Sequence, residues 1–195
     1  MKRVCVYAGS NLGEKEEYAV QAKELGQLLI KHNLDLVYGG SCVGLMGEVA
    51  NEVLKNGGNV IGVMPKSLFK GEIVHQGLTE LIEVNTMHER KAKMSELSDC
   101  FIALPGGYGT FEELFEAICW SQIGIHQKPV GVLNIDHFYD PIIKMVDHAA
   151  NEGFMNPSNK ALLVSAPNAL ELLEKLINYQ RPEMGLKWKQ LETTN

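Results

Sequence analysis

The feature that most restricts the fold is an alternation. Short apolar runs at residues 3–8, 34–38, 59–64, 80–84, 99–103, 129–134 and 161–165 are separated by segments long enough for helices. Several runs, such as Val60-Ile61-Gly62-Val63-Met64 and Cys100-Phe101-Ile102-Ala103, lack the polar alternation of a half-exposed strand and belong in a sheet covered on both faces. Strands taken in turn with helices give parallel pairs, because a parallel connection must travel back to the same end of the sheet. The expected fold is α/β, a doubly wound (Rossmann-like) parallel sheet with helices on both faces.

The helical segments carry their own signals. Ala19, Ala22, Leu25, Leu28 and Leu29 share one face of a helix expected over 14–32, with Asn33 as its C-cap. Further helices are expected from the glycine loop after residue 38 to residue 56, over 87–97, and over 111–123. Two more should run from the N-cap Asp140 to a stop at Gly153, and from Asn168 to residue 179. Residues 66–79 show no regular pattern and are read as a loop over the site. The 195 residues, 45% of them hydrophobic, suit one well-cored unit: residues 1–180 as a single nucleotide-binding domain and 181–195 as a C-terminal tail.

Composition excludes several classes of function. A net charge of −6 argues against neutralising a run of nucleic-acid phosphates, so no nucleic-acid partner is expected. No apolar run spans a bilayer, and Met1-Lys2-Arg3-Val4 enters a strand directly, so a cytoplasmic location away from membranes is expected. Cys5, Cys42, Cys100 and Cys119 are widely spaced and read as buried thiols. The six histidines are equally dispersed, and no metal is expected.

In doubly wound folds ligands bind beyond the carboxyl ends of the strands. Here those exits hold Ser10-Asn11, Gly39-Gly40-Ser41, Pro65-Lys66, the stretch from Met87 to Lys91, and Leu104-Pro105-Gly106-Gly107-Tyr108-Gly109-Thr110-Phe111-Glu112-Glu113. In the last of these, three glycines in four positions free the backbone N–H groups to converge on an anion at a helix start. Thr110 stands where an N-cap is expected. With Glu113 it makes a capping-box pattern, leaving one of two adjacent acids for capping and one for chemistry. The first strand exit lacks G-x-G-x-x-G spacing and the second lacks an acid for a ribose hydroxyl, so one phosphate and one nucleoside suit the crevice better than a dinucleotide. Arg90, near its strand exit, has a fork suited to a phosphate, a ribose or a carboxylate.

Met87-His88-Glu89-Arg90-Lys91 followed by Pro105-Gly106-Gly107-Tyr108-Gly109-Thr110-Phe111-Glu112-Glu113 resembles the paired signature of the LOG ("lonely guy") family, the cytokinin riboside 5′-monophosphate phosphoribohydrolases. The resemblance extends through Gly39-Gly40-Ser41-x-x-Gly44-Leu45-Met46-Gly47, Gly71-Glu72 and Ile123-Gly124-Ile125-His126-x-Lys128-Pro129. It implies hydrolysis of the N-glycosidic bond of an adenosine-type 5′-monophosphate to free base and ribose 5-phosphate. Glu113 would be the catalytic carboxylate and Arg90 its partner. Gly106, Gly107, Gly109 and Thr110, helped by Ser10 and Gly40, would hold the phosphate. Glu72, Met87 and Lys91 would help place the nucleoside, and Tyr108, Phe111 and Glu112 complete the binding motif. Members have been labelled lysine decarboxylases, but no lysine here stands out as a Schiff-base residue for pyridoxal phosphate, and no cofactor is expected. The apolar residues Leu114, Phe115, Ile118, Cys119, Trp120 and Ile123 suit either burial inside the domain or a homodimer interface, and the resemblance favours the homodimer. The alternatives are a general nucleoside 5′-monophosphate nucleosidase and a nucleotide or cofactor carrier without turnover.

Overall fold

The computed structural model describes residues 1–68 and 74–183. Seven strands form one parallel sheet: β1 (Arg3–Tyr7), β2 (Asp35–Tyr38), β3 (Val60–Pro65), β4 (Glu80–Val84), β5 (Cys100–Ala103), β6 (Val130–Leu133) and β7 (Leu163–Ala166). Their order across the sheet is β4-β3-β2-β1-β5-β6-β7. The helices between them are α1 (Glu16–Lys31), α2 (Gly44–Lys55), α3 (Met87–Leu97), α4 (Tyr108–Gln122), α5 (Asp140–Asn151) and α6 (Ala169–Ile177). This is the doubly wound arrangement that the sequence implies.

The period of two along each strand builds two separate cores. Val4 and Val6 of β1 point into one, with Ala22, Leu25 and Leu29 of α1, Val49 and Val53 of α2, and Leu172 and Leu176 of α6. Cys5 and Tyr7 point into the other, with Met94 of α3 and Leu114 and Ala117 of α4. Of the four cysteines, Cys5 and Cys100 are buried as expected, but Cys42 is half-buried and Cys119 lies exposed on the outer face of α4.

The winding reverses beside β1. From β1 the chain steps outward to β4, then crosses back to place β5 on the other flank, with Val4 opposite Cys100 and Tyr7 opposite Ala103. The connections leaving β1 and β5 therefore diverge and open a crevice at their carboxyl ends. Its floor is pinned by backbone bonds: Leu104 N donates to Tyr7 O at 2.9 Å, and Gly9 N donates to Pro105 O at 3.0 Å.

Two helix starts differ from the sequence reading. The N-cap of α4 is Gly107, and Thr110 lies inside the first turn. The reason is Gly106: a Cβ there would stand 2.2 Å from Thr110 Oγ1, so the bare backbone lets the threonine fold inward, and Thr110 is only 4% exposed. Asp140 is likewise the first helical residue, and the N-cap is Tyr139. Asn134 takes over the local pairing, accepting from Tyr139 N at 2.6 Å and donating to Asp140 at 2.9 Å.

In the segment expected to be irregular, Lys66–Leu68 makes one 3-10 turn and Val74 bridges to Ser41. Gly71 and Glu72 lie outside the described residues, as does the tail beyond residue 183. Arg181, at the start of that tail, donates to Ser121 O at 2.8 Å.

Candidate active site

Helix α3 begins with a reciprocal cap. Thr86 Oγ1 accepts from Glu89 N at 3.1 Å, and the Glu89 carboxylate accepts from Asn85 N at 2.8 Å. The cap fixes the first turn of α3 at the carboxyl end of the sheet, and Arg90 leaves that turn toward β3 and β2. Arg90 Nε donates to Val63 O at 3.0 Å. The guanidinium passes over Gly39, where a Cβ would lie 2.0 Å from Nη2. Its remaining terminal nitrogen, Nη1, lies 3.5 Å from Glu113 Oε1.

Glu113 comes from α4, six residues into the helix. Since α4 starts at Tyr108, neither Glu112 nor Glu113 lies in its first turn, and the capping box of Thr110 with Glu113 is not formed. Leu114 and Ala117 anchor α4 in the second core and carry the adjacent Glu113 side chain with them, leaving it 11% exposed. Burial pushes its carboxyl up to about 7; the Arg90 guanidinium opposes the rise and the neighbouring Glu112 adds to it. Arg90, at 12% exposure, is buried to the same degree. The pair thus forms a charged couple on the floor of a crevice of about 280 Å³.

The crevice mouth is the N-terminus of α4. Gly107 has no side chain with which to cap the helix, so the first amides of α4 face the opening. Cβ atoms at Gly107 or Gly109 would meet nothing within 4 Å, and neither residue has a positive φ. The protein's own packing does not require these two glycines; the space they leave is open to a ligand. Helix dipole and free N–H groups make it an anion site.

Of the residues singled out in the sequence, Ser10, Met87, Arg90, Gly107, Tyr108, Gly109, Thr110, Glu112 and Glu113 line this crevice. Gly106 lines an adjoining cleft of about 300 Å³ between the β1 exit and Phe138, walled by Leu12, Tyr18 and Leu45. Three candidates are placed elsewhere. Gly40 turns toward Met64 and Leu81 with φ +84°. Phe111 packs inward against Phe138 and Tyr139. Lys91 is buried between Glu112 and Glu116. Glu72 lies outside the described residues. Sequence reasoning did not single out Ala8 and Gly9 in the lining; it placed Gly39 at a strand exit and Met46 in a motif without assigning Met46 to the lining or Gly39 to the place beneath Arg90.

Comparison with known proteins shows the family. A family model described as "Possible lysine decarboxylase" matches residues 46–176. The chain is 51% identical over 185 residues to a cytokinin riboside 5′-monophosphate phosphoribohydrolase of Arabidopsis thaliana, covering 95% of this chain and 81% of that one. It is 50% identical over 188 residues to a protein of the same name from Oryza sativa subsp. japonica, covering 96% and 78%. Among solved structures it is similar to the molybdenum cofactor carrier protein of Chlamydomonas reinhardtii, with a TM-score of 0.68 over 91% of this chain and 99% of that one. At 20% identity that likeness is one of fold.

Proposed function

The chain belongs to the LOG family of phosphoribohydrolases, and we propose that it hydrolyses the N-glycosidic bond of adenosine-type 5′-monophosphates, isoprenylated ones included, releasing free base and ribose 5-phosphate. The observation that carries this reading is the buried Arg90–Glu113 couple beneath the open N-terminus of α4. The substrate's phosphate occupies the space at Gly107, Gly109 and Thr110, where the α4 amides meet its charge. That anchor brings the ribose over Glu113.

As the C1′–N9 bond breaks, its electron pair leaves with the base and C1′ takes on oxocarbenium character. The Glu113 carboxylate stabilises this positive charge and accepts a proton from the water that adds to C1′; the base acquires its proton from solvent. Arg90 fixes the carboxylate's position and favours its ionised form against the burial that opposes it. Among the described residues lining the crevice there is no lysine to form an imine, so nothing in that lining supports the decarboxylase wording of the family model. A carrier of nucleotides or cofactors does not require the buried Arg90–Glu113 couple, which favours turnover over carriage.

We also propose a homodimer. Leu114 faces the core, but Phe115, Ile123 and Ile125 remain 40%, 47% and 63% exposed along α4 and its exit, an apolar strip suited to a second copy. Light scattering at micromolar concentration should give twice the chain mass; a monomer contradicts it.

The reaction is tested by release of ribose 5-phosphate from AMP, isopentenyladenosine monophosphate, GMP, CMP and the unphosphorylated nucleosides. Turnover of the adenine-type monophosphates, with none from the nucleosides, is the expected result. Binding of nucleotides without release from any of them supports the carrier reading instead.

A further inference from the structure

The helices that carry Arg90 and Glu113 also carry a second set of charges beside them. Lys91, next to Arg90 on α3, has a side chain only 9% exposed. Its Nζ donates to Glu112 Oε1 and, at 2.8 Å, to Glu116 Oε2. Glu112 and Glu116 stand one turn apart on α4, so a single ammonium from the facing helix reaches both. Glu112 borders the crevice, whereas Lys91 does not. An ammonium so placed is in contact with two acids rather than directed at the crevice.

We propose that Lys91 is a positioning residue for the hydrolysis: by drawing Glu112 and Glu116 onto itself it clamps α3 to α4 and leaves Glu113 alone opposite Arg90. The inference rests on the reaction proposed above. Two neighbouring positions on α3, Arg90 and Lys91, thereby pair with two neighbouring positions on α4, Glu113 and Glu112, and the outer pair holds the inner one in register. A buried ammonium is stable only when opposing charge compensates its desolvation, and here two carboxylates do so.

Among the described residues, the charged and titratable groups facing Glu113 come from three elements. Arg90 and Lys91 on α3 favour its ionised form; Glu112 and Glu116 on α4 oppose it. Cys5 and Tyr7 on β1 are held neutral by burial. Without Lys91, Arg90 alone of these groups would offset the two flanking acids.

The test follows the Glu113 carboxyl by carbon-13 NMR in protein labelled at the glutamate carboxyls, assigned with Glu113→Gln, alongside kcat and KM for isopentenyladenosine monophosphate. Lys91→Met should raise the Glu113 midpoint by about half a pH unit or more. It should also lower kcat about tenfold while KM stays within roughly twofold. Lys91→Arg, which keeps the charge, should restore both. Glu112→Gln with Glu116→Gln, which leaves the lysine charged beside neutral neighbours, should move the midpoint downward and tests the same relation should Lys91→Met fail to fold. A midpoint unmoved in these variants overturns the proposal, as does a rise in KM alone, which would make Lys91 a substrate contact. The titration needs no substrate, so a wild-type protein that releases no ribose 5-phosphate refutes the reaction and leaves the charge coupling separately measurable.

Discussion

Arg90 fills the space that a side chain on Gly39 would need: a Cβ there would stand 2.0 Å from Arg90 Nη2. The glycine at the end of β2 is thus the surface on which the guanidinium rests, while Val63 O holds its Nε from β3. Gly39 needs no positive φ, and the obstructing atom is the far end of a flexible side chain, so an alanine there displaces the arginine rather than the backbone. Gly39→Ala should fold with a stability change within about 1 kcal/mol, yet lower kcat by roughly 10- to 100-fold. Thermal melts and steady-state kinetics on one preparation check this; unchanged turnover would show that the position of Arg90 is unimportant.

The Glu113 carboxyl gives a pH dependence with a definite sign. It is displaced from an ordinary 4.5 to about 7, so the folded state binds more protons than the unfolded chain between those values. Stability therefore falls as pH rises from about 4.5 to 7 and stays lower above it. At about 1.4 kcal/mol per pH unit the loss is on the order of 3 kcal/mol. Glu113→Gln should accordingly melt higher than the wild type at pH 8 and close to it at pH 4.5. Turnover runs the opposite way: because the reaction uses the carboxylate, kcat/KM should rise through about pH 7 to a plateau.

Gly109 sits in the second helical position of α4, where neither packing nor backbone angle demands a glycine. Gly109→Ala should stabilise the unliganded protein by up to about 1 kcal/mol, through lower chain entropy and better helix propensity. The added methyl group points into the space assigned to the phosphate, so nucleotide affinity should fall about tenfold or more. Opposite signs in the melting and binding measurements are the expected signature; affinity unchanged would move the phosphate elsewhere.

Tyr139 ties the β6 exit to the start of the glycine motif, its hydroxyl donating to Leu104 O at 2.6 Å where both residues are fully buried. Tyr139→Phe leaves that carbonyl without this donor and should cost about 1–2 kcal/mol, seen as a Tm lower by roughly 3–6 °C.

The strand–helix alternation was legible because apolar runs and helix periodicity are local properties; β4 and α3 begin and end where the sequence places them. The start of α4 was not, since a Thr followed three residues later by a Glu imitates a capping box, while a glycine N-cap has no side chain to announce itself. The pairing of Arg90 with Glu113 was legible through the paired motif. Gly39 was not, because its requirement comes from an arginine that is distant in sequence and arrives only once β2 and α3 are in place. The contacts of Lys91 with Glu112 and Glu116 were not legible either, because those partners lie on another helix.

The central claim is that Glu113 does the chemistry in this crevice, and Glu113→Gln tests it most directly. With isopentenyladenosine monophosphate at pH 8, kcat should fall by about two orders of magnitude or more while nucleotide affinity, by calorimetry, stays within about fivefold. Turnover near the wild-type rate in that variant, with the fold intact, would contradict the account.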